Sequence, residues 1–124
     1  MNPLILALDT DNLDTACRWI AATHDSISTY KVGLEFFLTF GRDGIEKLRE
    51  EGDFDLFLDL KLHDIPNTVG AAVKSVASIA PKFLTVHASG GLEMVRSWID
   101  GRESWNWSFR TGSEIGGPQG QLGF

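Results

Sequence analysis

Asp59, Lys61 and Asp64 stand at D-x-K-x-x-D spacing within the run Phe57-Leu58-Asp59-Leu60-Lys61-Leu62-His63-Asp64-Ile65-Pro66-Asn67-Thr68. A cation set between two carboxylates is equipment for moving a proton or for stabilising charge as it develops. The surrounding apolar residues predict a strand over about residues 54–62, and side chains on a strand alternate between faces. Asp59 and Lys61 would then share one face, and Leu58, Leu60 and Leu62 the other. The leucines look like packing. The charges need another reason, because burying an ion costs several kcal/mol unless it is paired. Charged groups at the C-terminal end of a buried strand, just ahead of a Pro-Asn-Thr turn, are how parallel α/β architectures present catalytic side chains.

The elements needed to hold such a strand are present on both sides of it. Leu4-Ile5-Leu6-Ala7-Leu8 is a continuous apolar run that ends at Asp9-Thr10-Asp11. It reads as a strand buried on both faces, the kind found in parallel sheets. Asp11 or Asn12 can cap a following helix, on which Leu13, Ala16, Cys17, Ile20 and Ala21 fall at helical spacing. A second strand over about residues 28–34 carries Tyr30, Val32 and Leu34 on one face and Lys31 on the other. A short helix follows, with Ile45 and Leu48 apolar and Gly52 as its predicted C-cap. After the third strand, a helix is predicted over about residues 68–79, with Val69, Ala72, Val73 and Val76 on one stripe. Pro81 leads into a fourth strand, Phe83-Leu84-Thr85-Val86-His87, and Ala88-Ser89-Gly90-Gly91 turns the chain into the helical segment Leu92 to Ile99. Strand starts recur about every 25 to 30 residues, each followed by a helix, which is a β-α repeat and implies a parallel sheet with right-handed crossovers. About four units are present, whereas a (β/α)8 barrel takes eight in roughly 250 residues. The expected fold is therefore α/β, of the (β/α)8 TIM-barrel kind, with the first four βα units represented.

Composition narrows the chemistry. The chain has 124 residues, is 43% hydrophobic and carries a net charge of −6, so nucleic acid is not an expected partner. One cysteine allows no intrachain disulfide, which fits a reducing compartment, and we expect a cytoplasmic protein. Cys17 reads as a small core residue. No run approaches the ~20 apolar residues of a membrane span, and Met1-Asn2-Pro3 lacks the basic region of a signal peptide.

The grammar changes near Gly101, which divides the chain into an expected half-barrel at residues 1–102 and an atypical Gly/Trp-rich tail at residues 103–124. Trp105-Asn106-Trp107 opens the tail, and five of the 13 glycines fall at or after Gly112. Neither strand nor helix period is legible there. Trp-Asn-Trp must be encoded TGG-AAY-TGG. Read from the preceding base it becomes NTG-GAA-YTG, an apolar residue followed by Glu and Leu, which would suit an ordinary α/β continuation. The expectation is an aberrant C-terminus, for which a frameshift is one explanation, with a natural disordered or clamping tail as the alternative.

With these residues in view, the chain resembles the orotidine 5'-phosphate decarboxylase family. The matching blocks are Leu6-Ala7-Leu8-Asp9, Lys31-Val32-Gly33-Leu34-Glu35-Phe36-Phe37, the Phe57 to Thr68 run, and Val86-His87-Ala88-Ser89-Gly90-Gly91, in the family's order and spacing over about residues 3–100. The resemblance implies conversion of orotidine 5'-monophosphate to UMP and carbon dioxide across the mouth of a (β/α)8 barrel, with no cofactor and no metal. It makes Lys61 the proton donor to C6 of the pyrimidine. Asp59 is implied to oppose the substrate carboxylate, and Lys31 to hold the ribose and orient Asp59. Asp9 would contact ribose or base. Asp64, with Ile65 and Thr68, is implied to reach a neighbouring subunit's site, hence a homodimer. The family's phosphate grip and base-recognition residues come from later strands with no counterpart here, and nothing is transferred to Arg110, Gln119 or Gln121.

Blander uses compete at several positions. Asp59 and Lys61 could be a structural ion pair, Lys31 a solvated strand-edge residue and Asp9 a turn residue. His63 is expected to pack or to support its neighbours. His87 and Ser89 end the fourth strand at the expected active face, with substrate contact and structural hydrogen bonding left open. Gly90-Gly91 reads as a tight turn, and no cluster has metal-ligand spacing. Two other functions stand beside the decarboxylase. One is an inactive half-barrel that only self-associates. The other is a metal-dependent sugar-phosphate enzyme, such as hexulose-phosphate synthase or keto-gulonate-phosphate decarboxylase, which the His63 and H-A-S-G-G blocks disfavour.

Overall fold

Alternating strands and helices begin at once in the computed structural model, which describes residues 3–102 and 122–123. The order is β1 (Ile5–Ala7), α1 (Leu13–Thr23), β2 (Thr29–Gly33), α2 (Leu34–Arg49), β3 (Asp55–Leu62), α3 (Pro66–Ser75), β4 (Phe83–Val86), α4 (Leu92–Arg102) and a two-residue β5 (Leu122–Gly123). Single 3-10 turns at Ala77–Ile79 and Ala88–Gly90 flank β4. The strands follow one another across the sheet in chain order, β1-β2-β3-β4-β5. The chain divides into two compact units, residues 1–59 and 60–124, with the boundary inside β3.

In the first unit, β1 pairs parallel with β2 and β2 with β3, with Ala7 opposite Lys31 and Gly33 opposite Asp59. Alternation sends Tyr30, Val32, Leu56 and Leu58 into a fully buried core with Leu8, Ala16, Ile20 and Leu48. Asn12 caps α1 by accepting the Thr15 N–H at 2.9 Å, as expected for an Asn ahead of an apolar stripe. Tyr30 places its ring edge-on to Phe54, 5.0 Å between centroids, and its hydroxyl lies 2.7 Å from Thr23 Oγ1. The predicted second strand ran one residue too far, because Leu34 opens α2 and is half exposed. That helix is also longer than predicted. Gly41, at φ 62° and ψ −156°, interrupts it between a first segment and the apolar stripe that ends at Leu48. Its cap is Glu50, not Gly52.

In the second unit, α3 and α4 pack closely through small residues. A Cβ added at Gly101 would lie 2.8 Å from the Gly70 carbonyl oxygen and 2.9 Å from Val73 Cβ. Val69, Val73, Leu84, Val86, Met94 and Trp98 are buried here. The third predicted helix starts two residues early, at Pro66, whose fixed φ suits the first helical position. It stops at Ser75, ahead of the separate 3-10 turn. Leu122–Gly123 pairs parallel with Leu84–Thr85 of β4. That strand was not legible in the sequence, because an open edge offers backbone groups to an extended dipeptide whatever its side chains. The expectations for residues 103–121 lie outside the described residues.

Candidate active site

The first unit brings together two of the sequence-derived candidates. In a parallel ladder, partnered residues point to the same side of the sheet. Thr29, Lys31 and Gly33 therefore share a face with Asp55, Phe57 and Asp59. This is the face opposite Tyr30 and Val32, as the alternation predicted. Lys31 and Asp59 meet diagonally across it, Nζ to Oδ2 at 3.7 Å. The Asp59 side chain is only 9% exposed and that of Lys31 is 30% exposed, so an enclosed carboxylate is set against an ammonium that still reaches solvent. Gly33, beside Asp59 in the ladder, leaves room: a Cβ built there would meet nothing within 4 Å. Asp9 is exposed, just past the end of β1. The Leu8 N–H donates to the Lys31 carbonyl at 2.9 Å, and the Thr10 N–H turns back to the Leu8 carbonyl at 3.0 Å. Asp9 thus sits at the centre of a tight turn at the same strand ends as Lys31 and Asp59.

The second unit carries the remaining candidates. Lys61 is exposed and has φ 50°, a left-handed backbone that L-residues other than Asn and Asp rarely adopt. Regular alternation is therefore not what presents Lys61, and the expectation of one flat charged face needs that correction. Its N–H donates to Thr85 Oγ1 on β4 at 2.9 Å. One residue on, the Leu62 carbonyl accepts from the His87 N–H at 2.9 Å. Asp64, Ile65 and Thr68 are exposed where the chain enters α3. Asp64 Oδ1 accepts the Ile65 N–H at 2.7 Å. The Ile65 carbonyl in turn accepts the N–H groups of Thr68 and Val69 at 3.0 and 3.1 Å. Ile65, the residue just ahead of α3, is 66% exposed although large and apolar.

The second unit also holds one group that sequence reasoning passed over. Thr85 was read only as part of a strand, although its parity with His87 would have placed it on the same face. The His63 and His87 rings lie 5.3 Å apart between centroids, tilted by 46°, and a Cβ at Gly90 would come 3.1 Å from His63 Cδ2. The exposed His63 ring is thus a neighbour of the turn that follows β4. Cys17 is half buried, and its thiol is held above the usual cysteine range by burial, with Glu51 adding to the effect. Among the described residues, no helix is long and apolar enough to cross a membrane.

The sequence that carries Asp9, Lys31, Asp59 and Lys61 matches a known group of proteins over most of its length. The model of the orotidine 5'-phosphate decarboxylase / HUMPS family matches residues 2–120. Orotidine 5'-phosphate decarboxylase of Thermobifida fusca is 52% identical over 98 residues, which cover 79% of this chain and 42% of the relative. That of Ehrlichia canis is 46% identical over 99 residues, 80% of this chain and 43% of the relative. Among solved structures, orotidine 5'-phosphate decarboxylase from Pyrococcus horikoshii superposes with a TM-score of 0.72 at 32% identity, covering 77% of this chain and 46% of that one. An uncharacterised conserved protein from Geobacillus kaustophilus gives 0.76 at 36% identity, over 84% of this chain and 48% of that one. The chain spans less than half the length of the relatives it matches, and their barrel fold accounts for its parallel sheet and alternating helices. On the match over residues 2–120, this chain belongs to the orotidine 5'-phosphate decarboxylase / HUMPS family.

Proposed function

We propose that this chain carries the proton-transfer half of an orotidine 5'-phosphate decarboxylase, a carboxy-lyase converting orotidine 5'-monophosphate to UMP and carbon dioxide in pyrimidine biosynthesis. The observation that carries the reading is the Lys31–Asp59 pair, 3.7 Å apart on one face of adjacent strands with the carboxylate enclosed, in a chain of this family. Loss of carbon dioxide leaves a carbanion with little delocalisation. An ammonium placed at that carbon attracts it more strongly as the negative charge builds, which is selective stabilisation of the transition state. Lys61 takes that role and delivers the proton. Asp59 sets a fixed negative charge against the departing carboxylate. Lys31 orients Asp59 and contacts the ribose. Asp9 contacts ribose or base.

Asp64, Ile65 and Thr68 serve the site of a second copy in a homodimer, a reading supported by their exposure and by the solvent-facing apolar surface of Ile65. No cofactor enters this scheme, and the compartment is the cytoplasm. Residues 1–102 act as half of a barrel. Binding of the substrate's phosphate contributes much of such an enzyme's rate when that remote energy is used at the reacting centre, and it falls to the other half of the barrel.

The test is a fusion of residues 1–102 to the second half of the T. fusca relative, assayed for loss of orotidine 5'-monophosphate. Turnover that disappears with Lys61→Ala, in a protein that stays folded, is the expected result. Near-normal turnover in that variant, or divalent-metal-dependent turnover of a sugar phosphate instead, would end the proposal. Mixing inactive Lys61→Ala and Asp64→Ala chains should restore part of the activity. Absence of recovery in demonstrated heterodimers would return Asp64 to its own subunit's site.

A further inference from the structure

We propose that Thr85 is the positioning residue for Lys61: its hydroxyl oxygen takes the Lys61 N–H and so fixes the left-handed backbone from which the lysine leaves β3. The catalytic consequence rests on the decarboxylase reading above. The hydrogen bond itself does not.

Two non-glycine residues among those described have positive φ, Lys61 at 50° and Ala80 at 56°. Ala80 ends a 3-10 turn, where a left-handed residue is an ordinary stop. Lys61 lies within a strand, where no turn demands it. Such a conformation persists only when its surroundings over-determine it. In a regular ladder a strand N–H donates to a backbone carbonyl. At Lys61 it donates to a side chain instead, Thr85 Oγ1 at 2.9 Å. At the next residue the Leu62 carbonyl takes the N–H of His87, which directly follows β4, at 2.9 Å. Two consecutive residues of β3 are therefore held from the β4 side, Lys61 through the hydroxyl of Thr85 and Leu62 through the backbone of His87. A serine can offer the same acceptor. A valine has the shape of threonine and none. Without the acceptor, the backbone of Lys61 is free to relax toward extended φ, which swings its Cβ and carries Nζ off its line of delivery.

The test has two readouts. On the 124-residue chain, amide hydrogen exchange followed by NMR should show the Lys61 N–H exchanging about tenfold faster in Thr85→Val and unchanged in Thr85→Ser, with Leu84 and Val86 amides as internal references. In the barrel completed with the T. fusca half, Thr85→Val should lower kcat about tenfold or more while KM moves less than about threefold, and Thr85→Ser should restore kcat. Equal Lys61 exchange in Thr85→Val and the parent chain would overturn the proposal. So would Thr85→Ser being as impaired as Thr85→Val. If Thr85→Val loses the reference protections, the contrast between Thr85→Ala and Thr85→Ser decides in its place. A parent fusion without turnover would sink the decarboxylase reading alone, and the exchange contrast would still decide the role of Thr85.

Discussion

Removing either partner of the Lys31–Asp59 pair should destabilise the chain unequally, and the direction follows from which charge is enclosed. Asp59 is 9% exposed and Lys31 30% exposed, with 3.7 Å between the charged atoms. Unit charges about 4 Å apart attract by about 4 kcal/mol at an effective dielectric of about 20, before desolvation is subtracted. Lys31→Met withdraws the cation from a carboxylate that cannot turn to water. Removing one member of a buried pair costs about 3–5 kcal/mol, and the partial exposure of Lys31 places this case near the lower end, at about 3 kcal/mol. Asp59→Asn leaves an ammonium on a flexible stem that can reach solvent, for a loss of about 1 kcal/mol. The double variant Lys31→Met/Asp59→Asn leaves no enclosed charge and should be more stable than Lys31→Met alone. The assay is urea unfolding of the 124-residue chain at fixed protein concentration. With a slope of about 1–3 kcal/mol/M, Lys31→Met should lower the midpoint by roughly 1 M or more and Asp59→Asn by much less. If Asp59→Asn proves as costly as Lys31→Met, or the double variant falls below both, the enclosed carboxylate is not what the pair serves.

Other expectations follow from the same geometry. Gly41→Ala forces a side chain into φ 62°, ψ −156°, so urea unfolding should register a loss of about 1–3 kcal/mol. Gly33→Ala, at φ −89° with open space around it, should change stability by less than about 0.5 kcal/mol. Gly101→Ala drives a methyl into the Gly70 carbonyl and Val73. It should cost about 1–3 kcal/mol in the same assay and speed amide exchange in α3. Cys17, with its thiol pushed up by burial and then by Glu51, should react with a thiol reagent at neutral pH more slowly than a free cysteine. The neutral thiol being favoured in the fold, its contribution to stability is complete below the unfolded pKa and is lost as pH rises through the folded one. The 124-residue chain alone should show little or no decarboxylation of orotidine 5'-monophosphate, and robust turnover by the monodisperse chain would contradict the need for a second half.

The alternation of strands and helices was legible because each element repeats its apolar residues at its own period, and the α1 cap was legible because Asn12 stands directly ahead of such a stripe. The start of α2 was not. Leu34 falls at strand parity after Val32, so alternation carries on through it, and Gly41 hides the continuity of the helix beyond. Pro66 reads equally as a turn or as the first helical residue, and only the position of the following core decided between them. Of the candidate site, alternation alone placed Lys31 opposite the Tyr30 face. Its meeting with Asp59 depends on the register of β2 against β3, which no local pattern encodes. The backbone of Lys61 was out of reach for a different reason. Lysine carries no signal for positive φ, and the conformation is tied to a threonine 24 residues away.

The order of the strands across the sheet also bears on how such a protein is made. Because β1, β2, β3 and β4 are neighbours in the order in which they are synthesised, each new strand finds its partner already beside the ribosome exit, with loop closure limited to one helix and its flanks. Folding can therefore keep pace with translation, unit by unit from the N-terminus. A longer relative passes through a nascent chain of this length on its way to a closed ring. The open edge of β4 is then a growth point, to which whatever extended segment emerges next can be stitched, as Leu122–Gly123 is here.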